Sequence, residues 1–193
     1  MKKLYLASKN KGKIKEYKKL LSIVNCQLLL QPESIEIQED GLTFRDNAIK
    51  KASEVAKKTN QFAIADDSGI CIEALNWKPG IYSSRYAEND QKRIQRVLNE
   101  LEGVQNRSAF FIANICVCSP DGQLILESEA KCFGNIISIP RGDGGFGYDP
   151  IFEESSNKLT FAEMNNDIKD SCSHRGKAIK KLIPNLVECF LDP

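Results

Sequence analysis

Apolar and polar positions follow two rhythms along this chain. Lys3-Leu4-Tyr5-Leu6-Ala7 is a short apolar run that reads as a strand. It stops at the polar stretch Ser8-Lys9-Asn10-Lys11-Gly12-Lys13, after which Ile14, Tyr17, Leu21 and Val24 recur at helical spacing with Leu20 beside them. Cys26 to Gln31 reads as a second strand, and residues 34–41 form an acidic connection. Thr43 with Asp46 three residues later resembles a capping box. It opens a helix with Ile49, Ala52, Val55 and Ala56 on one face and Lys50, Lys51, Lys57 and Lys58 around it. Ala63-Ile64-Ala65 is a buried-strand run that ends on Asp66-Asp67-Ser68-Gly69, and alternation resumes from Ile70 to Leu75. The carboxylates are therefore expected in a strand–turn–strand.

Further on, Asn76 to Gly80 carries a Pro-Gly turn signal, and Ile81 to Tyr86 offers aromatics and an Arg for a pocket or a subunit contact. Ile94, Val97, Leu98 and Leu101 predict a helix over 89–102 that ends at Gly103. Ser108 to Cys118 is a long apolar strand, and the turn Pro120-Asp121-Gly122 pairs it with a strand from Gln123 to Phe133, extended by residues 134–139. Ser171 or Ser173 is placed to cap a last helix through Ala178, Ile179 and Leu182, which Pro184 stops, kinks or restarts. The pattern predicts a mixed α/β fold with parallel units early and an antiparallel portion late. No repeat or low-complexity segment interrupts it.

The 193 residues suffice for one core and suggest a single domain over 1–193, two-lobed at most. Basic and acidic residues nearly cancel to a formal charge of +1, which argues against a general nucleic-acid-binding surface. No apolar stretch approaches the ~20 residues of a membrane span. The N-terminal apolar run ends too soon for a signal peptide, so a cytosolic protein is expected. The seven cysteines are scattered through apolar runs without a CxxC pair, and there is one His. Free buried thiols are expected, and zinc chemistry is not.

Four stretches carry candidate chemistry. Ser8-x-Asn10-x-x-Lys13 lies where a strand feeds a helix, and exposed amides and the helix dipole favour anions there. Ser8 and Asn10 can bond phosphate oxygens and Lys13 adds a mobile charge; the GxxxxGK[ST] pattern of a Walker A loop is absent. The alternative is a solvated turn. Asp66 and Asp67 leave a strand on opposite sides, so one at most aims into a crevice while the other meets structure. Such carboxylates suit Mg²⁺, which takes few protein oxygens. Arg141 to Pro150 holds four glycines, with Phe146 and Tyr148 flanking Gly147 as suits stacking on a planar base. His174 and Arg175 fall in the first turn of the last helix, where cations oppose the dipole, which suggests an anion or electronegative base edge nearby. Together these point to a nucleotide site for metal-assisted phosphoryl chemistry.

Those motifs, with Pro79-Gly80-Ile81-Tyr82-Ser83-Ser84-Arg85-Tyr86, Gly145-Phe146-Gly147-Tyr148-Asp149-Pro150-Ile151-Phe152 and Ser173-His174-Arg175, resemble the Ham1/RdgB-type inosine triphosphate pyrophosphatases from about residue 3 to residue 182. The resemblance implies a homodimeric α/β enzyme with an elongated mixed sheet flanked by helices and a nucleotide cleft between two lobes. It implies Mg²⁺-dependent hydrolysis of ITP, dITP and XTP to the monophosphate and pyrophosphate. By position, Asp67 is the proton acceptor and a metal ligand. Ser8, Lys9, Asn10, Lys11, Gly12, Lys13, Lys51, Ser68, Phe146, Gly147, Tyr148, Asp149, Lys169, His174 and Arg175 contact substrate. A second metal carboxylate belongs to residues 36–41; Gln38 stands where many relatives carry Glu, so Glu39 is assigned, with Glu36 as the alternative. Asn76-Trp77-Lys78 replaces a glycine-containing turn common in relatives. Two other readings are a silent nucleotide sensor and a phosphatase that releases orthophosphate.

Overall fold

The computed structural model describes residues 2–190. The outer ends of the expected domain, Met1 and residues 191–193, lie outside the described residues. One six-stranded sheet has the order β2-β1-β3-β4-β5-β6. Its strands are β1 (Lys3–Leu6), β2 (Gln27–Leu30), β3 (Phe62–Ile72), β4 (Ser108–Cys118), β5 (Leu124–Ile136) and β6 (Phe152–Glu154). The helices are α1 (Lys11–Leu20), α2 (Phe44–Thr59), α3 (Asp90–Glu100), α4 (Asn166–Cys172) and α5 (His174–Phe190). β1 is parallel to both β2 and β3, while β5 and β6 are antiparallel. The mixed α/β sheet flanked by helices is the expected one. Among the described residues no helix is long and apolar enough to cross a membrane.

The helix starts follow local chemistry. Asn10, Thr43, Asn89 and Asn165 each accept from the amide three residues on, at the first turns of α1, α2, α3 and α4. Thr43 thus caps as its spacing predicts. Helix α4 was not expected, although Asn165 is a cap signal of the same kind.

The chain divides into two compact units. Unit 1 comprises the residues up to Asp67, residues 113–130 and those from Arg175 on; unit 2 comprises residues 68–112 and 131–174. Two clusters build unit 1. One gathers Leu4, Leu6, Tyr17, Ile64, Ile115, Ile179 and Leu186; the other gathers Ala48, Ala52, Val55, Ala63, Ala65 and Cys116. Ile64 and its neighbours Ala63 and Ala65 belong to different clusters, as opposite faces of one strand require. Unit 2 packs around Ile70, Ile72, Val97, Phe111, Tyr148, Phe152 and Phe161.

Two expectations are corrected. Residues 66–69 do not turn; β3 runs unbroken from Phe62 to Ile72, nearly all of it buried. The run stays extended because both carboxylates find bonding partners, which removes the reason to leave the sheet. After Ile72 the alternation fails, since Glu73–Leu75 is a 3-10 turn followed by left-handed Asn76 and Trp77 at φ 51° and 66°. Of the two capping candidates, Ser171 lies inside α4, whereas Ser173 is the extended residue that closes α4 and directly precedes His174, the first residue of α5, which continues through Pro184. All seven cysteines are free thiols.

Candidate active site

In unit 1 the two aspartates of β3 point to opposite faces and meet different helices. Asp67 faces α2, where Asn47 and Lys51 lie one turn apart on the same side. Asn47 Nδ2 donates to Asp67 Oδ2 at 3.1 Å, and Lys51 Nζ donates to Asp67 Oδ1 at 3.1 Å and to Glu39 Oε1 at 2.6 Å. Asn47 also accepts from the Gly41 amide at 2.8 Å, which ties the acidic segment to the helix. A Cβ on Gly41 would come 2.7 Å from that Asn47 oxygen, so the approach needs glycine. Burial pushes the Asp67 carboxyl above its ordinary value, outweighing Lys51 and Lys13. Burial alone would lower Lys51, yet Asp67 and Glu39 hold its ammonium above the usual range.

Two carboxylates converging on one cationic point form a hard, oxygen-only donor set. Among the described residues no group of three or more His, Cys, Asp or Glu gathers for a metal. Mg²⁺ is commonly bound by one or two carboxylates plus substrate phosphates, and Asp67 with Glu39 are the residues that could hold it here. Of the two acidic candidates, Glu39 is half-buried and shares Lys51 with Asp67, whereas Glu36 is exposed.

Asp66 faces α1 and α5. Lys13 Nζ lies 3.2 Å from Asp66 Oδ1, and Arg175 donates through Nε and Nη2 to Oδ2 at 3.1 Å each. Arg175 also pairs with Glu16, which shares a face of α1 with Lys13 and the buried Tyr17. Burial would raise the Asp66 carboxyl, but Lys13 and Arg175 together hold it well below the usual carboxylate range. Lys13 is therefore seated on a buried carboxylate and is not the mobile charge expected. Arg175 is likewise buried against two carboxylates in unit 1; the anion that its place at a helix start called for is internal. The rest of the Ser8-to-Lys13 stretch is a helix start: Asn10 caps the Lys13 amide at 3.1 Å, Ser8 Oγ accepts from Asn10 at 3.2 Å, and Lys9 reaches the Glu33 carbonyl. Lys11 and Gly12 begin α1.

In unit 2 the glycine loop is held from several sides. The Phe146 amide donates to Asp149 Oδ2 and the Gly147 amide to Asp90 Oδ2, both at 2.8 Å. Tyr148 donates its hydroxyl to the Ser83 carbonyl at 2.9 Å and is buried in the core. The expectation that Tyr148 stacks on a base is corrected, since its ring is consumed by packing; burial also raises its phenol. Phe146 is half-buried and lines an open groove of about 1020 Å³ with Ile94, Leu98 and Arg107. Lys169, carried by α4, donates to Asp149 Oδ2 at 2.7 Å and lies 5.0 Å from the centre of the Phe146 ring. His174 is buried and stacks on Phe111 at 4.8 Å and 10°. Ser68, half-buried, follows Asp67 directly in β3.

Of the expected residues, Glu39, Lys51 and Asp67 thus meet in unit 1, Lys13 and Arg175 meet there at Asp66, and Phe146, Asp149 and Lys169 meet in unit 2. Three participants escaped the sequence reading. Asn47 had one available signal, a polar residue beside Ala48 on the apolar side of a helix. Glu16 sits three residues after Lys13, a spacing that predicts a shared face. Asp90 had none, because its partner lies 57 residues on.

A profile described as the Ham1 family matches residues 4–185. The chain belongs to the Ham1 family. A Ham1 relative from Prochlorococcus marinus subsp. pastoris, named a dITP/XTP pyrophosphatase, is 78% identical over 98% of this chain and 100% of its own. One of the same name from Synechocystis sp. is 50% identical over 93% of each chain. The solved structure of a HAM1 protein from Coxiella burnetii superposes with a TM-score of 0.88 at 41% identity, covering 97% of this chain and 100% of that one. The Staphylococcus aureus Ham1 protein gives 0.85 at 35% identity, over 97% and 99% of the two chains. The mixed sheet described above is therefore the Ham1 fold.

Proposed function

We propose that this chain is a nucleoside triphosphate pyrophosphatase that hydrolyses dITP, XTP and ITP to the monophosphate and pyrophosphate, with Mg²⁺, as a homodimer in the cytoplasm. The observation that carries the reading is the Asp67–Lys51–Glu39 constellation of unit 1 in a chain of the Ham1 family. The names of the relatives support the substrate class.

In this reading Asp67 and Glu39 hold Mg²⁺, which supplies charge neutralisation on the substrate phosphates. Asp67 takes the proton of the water that attacks the α-phosphorus, and Asn47 keeps its carboxylate in one orientation. Lys51 offsets the charge of the departing pyrophosphate. Phe146 offers a ring face to the base, and Lys169 and His174 supply donors for its 6-oxo edge. An adenine amino group leaves such donors unpaired, which can discriminate by ~10⁴–10⁵ in a site built this way.

The test is incubation with ITP, XTP, dITP, GTP and ATP, with Mg²⁺ or with EDTA, and identification of the phosphate released. Pyrophosphate from the first three alone, and only with the metal, is the expected result. Orthophosphate moves the scissile bond and makes the enzyme a phosphatase. Binding without turnover makes the protein a sensor, and equal kcat/KM for ATP and ITP removes the account of base reading.

A further inference from the structure

Asp149 occupies a more constrained place than a substrate contact requires. Its carboxylate is buried, and a single oxygen, Oδ2, accepts from the Phe146 amide at 2.8 Å and from Lys169 Nζ at 2.7 Å. Gly145 makes the room: a Cβ there would come 2.0 Å from that same oxygen, at a φ of +75°. The Lys169 ammonium lies over two rings, 5.0 Å from the centre of Phe146 and 5.5 Å from that of Phe161. One carboxylate therefore fixes both the turn that presents Phe146 and the direction of a lysine that contacts the same ring. Charge-assisted bonds of this kind are roughly twice as strong as neutral ones. They remove, before any ligand arrives, freedom that a long lysine side chain otherwise loses on binding.

We propose that Asp149 is a positioning residue, acting on substrate through Lys169 and Phe146 and not by touching it. The inference rests on the nucleotide reading above. It assigns to Asp149 an effect on binding, because the groups it holds serve the base and not the scissile bond. Its signature is a KM effect that depends on Lys169.

The experiment compares wild type, Asp149→Asn, Lys169→Met, the double variant and Gly145→Ala, with kcat and KM for ITP and a denaturant unfolding curve for each. Asn retains an acceptor for the Phe146 amide and removes the counter-charge of Lys169. Asp149→Asn is expected to raise KM by about tenfold, as loss of a charge-assisted bond implies, with kcat within about threefold. The double variant should be no worse than Lys169→Met alone, and Gly145→Ala, which evicts the carboxylate without changing its charge, should raise KM as well. Additive effects in the double variant, or a fall in kcat at constant KM, overturn the proposal.

A measurement on the wild-type protein alone guards against variants that fail to fold. In the ¹H–¹⁵N spectrum of the lysine ammonium groups, Lys169 should exchange slowly without substrate. Exchange as fast as that of the exposed lysines overturns the clamp. Absence of ITP turnover by wild type refutes the nucleotide reading, whereas the exchange measurement still decides whether Asp149 holds Lys169.

Discussion

Asp67→Asn is expected to lower kcat for ITP by about 10²–10⁴-fold, the range for loss of a positioned proton acceptor. The amide is isosteric, so its oxygen can still accept from Asn47 or Lys51 while Glu39 keeps its own bond to Lys51. What disappears is the negative charge, and with it the ability to take a proton and half of the carboxylate pair proposed for Mg²⁺. Turnover should therefore fall and the Mg²⁺ concentration giving half-maximal rate should rise. Stability should not fall. Burial holds the Asp67 carboxyl above its ordinary value, so its charged form is disfavoured by folding and a neutral replacement relieves that strain. Steady-state kinetics and a thermal unfolding curve check both halves. A variant within threefold of wild-type turnover would remove Asp67 as the proton acceptor.

The neighbouring substitution should do the reverse. Asp66→Asn is expected to destabilise the fold by about 3–5 kcal/mol, the range for removing one partner of a buried ion pair. Lys13 and Arg175 both pair with the same buried carboxylate, and Arg175 keeps a second acidic partner, Glu16. For a chain of this length such a loss corresponds to a fall in Tm of roughly 6–20 °C. The pH dependence has a definite sign. A carboxyl held well below its unfolded value of about 3.9 contributes stability that is fully present above that value and drains away as pH falls below it. Wild type should lose stability progressively below about pH 4, and Asp66→Asn should lose less over the same interval. Denaturant titrations at pH 7, 4 and 3 test this; equal stability of the two proteins at pH 7 would mean that Asp66 is not the anchor of the cluster. Two adjacent aspartates thus separate into one that stabilises and one whose burial favours reactivity over stability, a division common at functional sites.

The sequence by itself determined the elements whose signals are local. Strand period, helical spacing and the cap at Thr43 act within a few residues, so β4 appears over the same residues that the apolar run predicts. The motif residues were legible for the same reason, and so was the separation of Asp66 from Asp67, because alternation along a strand is a property of the backbone. The continuity of β3 was not legible. A pair of carboxylates followed by Ser-Gly reads as a turn until Lys13, Lys51, Asn47 and Arg175 arrive from three helices to satisfy them. Nor could the sequence tell that Tyr148 is core while Phe146 lines a groove, since both flank one glycine and only packing distinguishes them. Asp90 on the Gly147 amide and Arg175 on Asp66 are contacts across 57 and 109 residues. Tertiary structure alone decided which aspartate each cation serves, because a buried charge takes whichever partner the fold brings within bonding distance.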